Sequence, residues 1–284
     1  MNESDIRTSY GTIHVYRSGT GGKNLILLHG SGCDNAMLSW FEVIQSFSDE
    51  YTIYAPDLLG YGKSDKPDDL CGEKFYDIHI QSIKQLTDYL GLDKFILAGL
   101  SMGGAIAIGY AIKYPMQVQM LFPVDTWGIS PSIPFHHFSY WYIHKTNLTL
   151  SQYKWIAQSK WLAKWFIGYS LIGDKSKITD KIVDEVWKAC KNDNAGKSMQ
   201  DYQRSSCKKN GTIPFYKNAL TKLEMPVIFI HGEYDNLVPL KHLEELKEVL
   251  PNAEVHILKK CKHWSVKEKP NEFFDLVQNY TRAL

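Results

Sequence analysis

Cysteine is scarce in this chain of 284 residues: Cys33, Cys71, Cys190, Cys207 and Cys261 are widely spaced and form no C-x-x-C pair. An odd, scattered set argues against a disulfide framework or a paired-cysteine zinc site, and it fits reduced thiols in a cytoplasmic protein. Charge of one sign is lacking too. Lys and Arg number 32 against 31 Asp and Glu, for a net charge of +1. Such a chain has no basic field for nucleic acid, and a small neutral molecule is the partner to expect. No apolar run approaches the ~20 residues needed to span a bilayer, so no membrane span is expected. The opening Met1-Asn2-Glu3-Ser4-Asp5 is polar and acidic, unlike a signal peptide. There is no internal repeat or low-complexity tract.

What is present is an alternation of strand-like and helix-like segments. Residues 12–16, 25–28, 51–55, 94–98 and 120–124 read as short apolar strands, with helices over 38–48, 78–90 and after Ser101. Nearly all-apolar strands separated by helices predict an α/β architecture, a mostly parallel sheet with helices on both faces. From about Asp125 to Pro214 no strand is predicted, and six of the eight tryptophans lie there. Helical spacing is read for 155–171 and 179–191. After Pro226 the earlier pattern resumes with strands at 227–230 and 254–258 and helices at 240–250 and 271–283. The chain is therefore read as a core domain, 1–125 and 215–284, carrying a helical cap insertion at 126–214.

The densest signal is Gly99-Leu100-Ser101-Met102-Gly103, with an apolar strand before it and a small-residue helix after it. A serine on a sharp strand-to-helix turn, flanked by glycines, suits a nucleophile. The three-residue pattern alone arises by chance about 0.1 times in a chain of this length. Its weight therefore depends on partners. In a parallel sheet, ligands bind beyond the carboxyl ends of the strands. Those ends carry His29-Gly30-Ser31-Gly32, Asp57 to Ser64, Ser101, His231 to Asp235, and Cys261-Lys262-His263-Trp264.

On these motifs together the chain resembles the α/β-hydrolases over essentially its whole length. The resemblance implies Ser101 as nucleophile, Asp235 as acid and His263 as base. The oxyanion donors it implies are the backbone N–H of Met102 and one from the loop after His29, assigned to Ser31. No cofactor and no metal are implied. Asp125 also follows a strand and is the rival acid, but the 28-residue interval from Asp235 to His263 and the Gly-x-x-Asp-x-x-Val-Pro context favour Asp235. His29 is read as a prop for the oxyanion loop, Asp57 as a loop anchor, and Cys33 as a small buried filler. Histidines 136, 137 and 144 are read as surface or cap residues.

The tryptophans are read mainly as glue within the cap, with Trp127 and Trp264 as pocket candidates. Trp155 to Leu171, with Lys154, Lys160 and Lys164 interleaved, is read as a cap helix in preference to a membrane-surface helix. Within the family, His29-Gly30-Ser31-Gly32 and His263-Trp264, with Glu268, Pro270 and Phe273 beyond, resemble the motifs of the meta-cleavage-product hydrolases, which break a carbon–carbon bond. This chain departs from their pattern. Cys33-Asp34-Asn35 replaces Pro-Gly-Ala, and Val186 and Trp187 stand where a cap arginine is expected; Arg204 is the cap's only arginine. The expected activity is therefore serine-dependent cleavage of a small, largely apolar carboxylic ester or related acyl compound. Carbon–carbon cleavage or lactone opening on the same triad is the alternative, and a triad-bearing small-molecule receptor is the non-enzymatic one.

Overall fold

The computed structural model describes residues 1–46, 50–192, 194–250 and 253–284. The strands are β1 (Asn2–Thr8), β2 (Gly11–Ser18), β3 (Lys23–Leu28), β4 (Tyr51–Pro56), β5 (Phe95–Leu100) and β6 (Val118–Val124). A short hairpin, β7 (Cys207–Lys208) and β8 (Gly211–Thr212), and then β9 (Ile228–Gly232) and β10 (Glu254–Leu258) follow. Among the described residues one eight-stranded sheet runs β1-β2-β4-β3-β5-β6-β9-β10. Only β1 with β2 and β2 with β4 pair antiparallel; the other neighbours are parallel.

Side chains of a strand alternate between faces, so β3 feeds two hydrophobic layers. Ile26 and Leu28 pack with α2 (Phe75–Tyr89) and α3 (Met102–Lys113). Leu25 and Leu27 pack with Trp40 and Val43 of α1 (Ala36–Ser46) and with Phe273 and Val277 of the last helix. Burial on both faces is why these strands are apolar without alternation.

Between β6 and β9 lie α4 (His136–Lys145), α5 (Leu148–Ile156), α6 (Lys160–Phe166), α7 (Asp180–Cys190), α8 (Ala195–Ser206) and α9 (Lys217–Leu220). After β9 come α10 (Lys241–Lys247), α11 (Ser265–Glu268) and α12 (Pro270–Thr281). The sequence reading differs here in several ways. Strand β1 was not expected, because an edge strand exposed at most positions has a polar composition. The stretch 155–171 is not one helix. The chain breaks after Ile156, and Ser159 caps a new helix by accepting the Trp161 N–H at 3.1 Å. The polar α8 was not expected, nor was the β7–β8 hairpin in a region read as strandless. The helix read over 38–48 is described as far as Ser46, and its last two residues lie outside the described ones.

Candidate active site

The turn after β5 is forced by its neighbours. Ser101 has φ 53°, in the left-handed region that non-glycine residues seldom occupy. Its N–H donates to the Val124 carbonyl at 2.9 Å, and its own carbonyl accepts from Trp127 N–H at 3.1 Å. A Cβ at Gly99 would stand 2.3 Å from the Gly103 oxygen, and one at Gly103 would stand 2.4 Å from the His29 oxygen. Only glycine fits either position.

The structure brings Ser101, His263 and Asp235 together, all buried. His263 Nε2 lies 2.9 Å from Ser101 Oγ, and His263 Nδ1 lies 2.7 Å from Asp235 Oδ2. The other carboxylate oxygen of Asp235 accepts the N–H groups of Leu237 and Val238, at 2.8 and 2.9 Å. Burial disfavours the imidazolium, yet the charge and hydrogen bond of Asp235 outweigh it, with Asp125 and Asp34 adding; the pKa of His263 is raised. Asp235 feels the same pairing from the other side. Burial pushes its pKa up, but His263 and the surrounding donors bring it below its ordinary value.

Asp125 is spent on the backbone. Its carboxylate accepts Gly232 N–H at 2.8 Å and Ser265 N–H at 3.1 Å, joining the end of β9 to the start of α11. Asp125, His231 and Asp235 also bring one ligand-type atom each within 4.8 Å of one another. Both carboxylates there already accept two backbone N–H groups, and His231 Nε2 lies 2.9 Å from the Val238 carbonyl. Such a donor set fits a loop clasp better than an ion.

The loop after β3 completes the floor. His29 Nε2 accepts the Leu58 N–H at 3.0 Å while its Nδ1 lies 2.7 Å from the Gly30 carbonyl, so the ring props this loop. Asp57 anchors its own loop by accepting the Lys63 N–H and ties it to the start of α1 by accepting the Ala36 N–H. Among the described residues no protein acceptor pairs with the N–H of Ser31, or with that of Met102 at the first position of α3. Asp34 is the residue that the sequence reading passed over. Its carboxylate accepts the Gly30 N–H at 2.7 Å and the Ser39 hydroxyl, and Ser39 Oγ in turn accepts Trp264 Nε1–H at 2.8 Å. Burial pushes the Asp34 pKa up against these bonds. The one signal available for it was the Cys33-Asp34-Asn35 departure.

Above the floor is a cavity of about 240 Å³, walled chiefly by apolar side chains including Trp127, Trp264, Tyr153, Phe166, Val186 and Met199. Among the described residues no Lys or Arg lines it, and Asp34 is its one acidic side chain. Arg204 points elsewhere: it donates to the carbonyls of Ile143 and Thr146 between α4 and α5. Cys33 is half-buried at the cavity wall rather than fully buried. Its thiol interacts with that of Cys190, and this pairing, with burial, holds its pKa well above the usual thiol range. His136 and His144 reach the carbonyls of Lys208 and Cys207, tying α4 to the hairpin.

A family model described as the alpha/beta hydrolase fold matches residues 23–270. A 2-hydroxy-6-oxononadienedioate/2-hydroxy-6-oxononatrienedioate hydrolase of Paraburkholderia phymatum is 26% identical over 275 residues, covering 94% of this chain and 90% of that one. A 2-hydroxy-6-oxo-6-phenylhexa-2,4-dienoate hydrolase of Comamonas testosteroni is 26% identical over 274 residues, covering 95% and 91%. Among solved structures, a serine hydrolase from the polyaromatic hydrocarbon-degrading bacterium Cycloclasticus zankles superimposes with a TM-score of 0.81. It is 22% identical, over 99% of this chain and 98% of the other.

Proposed function

The chain belongs to the α/β-hydrolase family, and on that premise we propose that it is a serine hydrolase cleaving a small, uncharged, largely apolar carboxylic ester. The observation that carries this reading is the 2.9 Å approach of Ser101 Oγ to His263 Nε2 on the floor of a cavity that no Lys or Arg lines among the described residues. Ser101 Oγ attacks the ester carbonyl as His263 takes its proton. Asp235 holds the imidazole in the tautomer with Nδ1–H and stabilises its charged form. The N–H groups of Met102 and Ser31 receive the oxyanion, each worth about 3–4 kcal/mol of transition-state stabilisation. His263 then returns its proton to the departing alcohol. Water activated by the same imidazole hydrolyses the acyl-enzyme. In this proposal residues 1–125 and 215–284 supply the chemistry, and the insertion 126–214 shapes the substrate pocket.

Ser101→Ala tests it. Turnover of short p-nitrophenyl esters falls by about six orders of magnitude, while thermal unfolding is unchanged. Undiminished turnover removes Ser101 as nucleophile.

A second reading, carbon–carbon hydrolysis on the same triad, has specific support in the names of both curated relatives, each matched over most of its length. Those names describe carboxylate substrates, and the cavity here offers such a group Asp34 and, among the described residues, no Lys or Arg. The ratio of kcat/KM for a dienol diketone to that for a p-nitrophenyl ester decides between the two. A ratio well above one favours carbon–carbon cleavage.

A further inference from the structure

From Thr126 to Gly173 the chain contains no Asp or Glu, yet it carries Lys145, Lys154, Lys160 and Lys164 and five tryptophans. The fold turns many of those aromatics outward. Trp161 is 70% exposed and Phe138 65%, and Trp141, Trp155, Trp165 and Tyr169 are each about half exposed or more. They lie on or next to α4, α5 and α6, which pack in succession. The inner sides of the same helices contribute Ile143, Tyr153 and Phe166 to the cavity wall. On the outer side Phe138 packs against Trp141 at 6.0 Å between ring centres, and Trp165 stacks on Tyr169 at 5.3 Å. Reading these tryptophans as glue within the cap is corrected by this exposure.

Scattered exposed apolar residues need no explanation, but a cluster of aromatics on one group of helices marks a docking surface. We propose that this face docks on an anionic phospholipid surface, lying in the interface without crossing it. Tryptophan and tyrosine favour the boundary between headgroups and hydrocarbon. Exposed lysines around an apolar face add attraction to acidic headgroups. Lys145, Lys154 and Lys164 are exposed and have no ion pair among the described residues, whereas Lys160 is paired with Asp184. Charge also argues against a second copy as occupant. A two-fold contact would set this cationic face against itself, with no carboxylate from 126–173 to pair with it. Docking would bring the outer wall of the cavity against the lipid, where apolar substrates concentrate.

Co-sedimentation of the full chain with vesicles tests the proposal independently of catalysis. The protein pellets with vesicles of equimolar phosphatidylglycerol and phosphatidylcholine, its tryptophan emission shifts to shorter wavelength, and pure phosphatidylcholine binds it far less. Ser101→Ala pellets like the wild type. Trp161→Ser with Trp165→Ser weakens binding about ten-fold or more, and soluble-ester hydrolysis and thermal unfolding are unchanged because both side chains are exposed. Lys154→Glu with Lys164→Glu does the same by reversing charge, should the first variant fold poorly. Protein that stays in the supernatant with anionic vesicles overturns the proposal, as does equal binding by the folded variants. A dimer in ultracentrifugation that either variant dissociates, without vesicle binding, reassigns the face to self-association.

Discussion

The Asp34 carboxylate accepts the N–H of Gly30 at 2.7 Å, one residue before the N–H proposed to receive the oxyanion. A carboxylate is thereby fixed in the wall of a chiefly apolar cavity, beside the loop proposed to meet the substrate carbonyl. Asp34→Asn keeps the shape and removes the charge. Its effect on loop geometry applies to every ester, so the ratio between substrates isolates the charge effect. Relative to p-nitrophenyl butyrate, kcat/KM for p-nitrophenyl hemisuccinate rises about ten-fold, the scale of two like charges ~10 Å apart at an effective dielectric of ~20. An unchanged ratio shows that Asp34 does not select against anions.

The pH profile reports His263. Catalysis needs the neutral imidazole, and a raised pKa means that more of it is protonated at a given pH. The acid limb of kcat/KM therefore lies above the pH of an ordinary histidine, and activity is lost as pH falls through it. Asp235→Asn removes the largest contribution raising that pKa, so the limb moves to lower pH while kcat drops by about 10⁴. A limb that stays in place points to another carboxylate as the histidine's partner.

Asp125→Ala separates the rival acid from the proposed one. It leaves the buried N–H groups of Gly232 and Ser265 without their acceptor. Each such loss costs about 1–3 kcal/mol, so stability measured by urea unfolding falls by about 2–6 kcal/mol. The acid limb shifts less than in Asp235→Asn, because Asp125 contributes less to the His263 pKa. The reverse order of shifts would exchange the two roles.

Gly103→Ala tests the close approach at the glycine-flanked turn of Ser101. The added methyl meets the Leu28 and His29 carbonyls at 2.5 and 2.4 Å, with backbone on both sides and no flexible side chain to yield. Stability falls by about 1–3 kcal/mol or more, and ester turnover falls with it as Ser101 is displaced. A variant with wild-type unfolding midpoint and activity shows that the turn has room to relax.

The positions of Ser101, Asp235 and His263 were legible because each follows an apolar strand and carries a short local pattern. In a parallel sheet, strand ends converge on one edge, so one-dimensional order maps onto spatial proximity. Asp34 was not legible as a cavity residue, since nothing local distinguishes a buried acid from a solvated one on a loop. The region between β6 and β9 was the least legible. Periodicity indicates that Trp155, Trp161 and Trp165 sit on helices, but not which face finds a neighbour. The chain breaks between α5 and α6 before Ser159, and no pattern read as a single helix carries that information.

Alone, the sequence determined the α/β alternation, the glycine-flanked turn and the order Ser, Asp, His, because these depend on local sterics and on burial of both faces of short strands. Tertiary structure decided which aromatics line the cavity and which face solvent, that Arg204 serves a helix corner, and that Asp34 enters the cavity wall. Those outcomes depend on how separate segments dock, and docking is set by contacts between residues far apart in the chain.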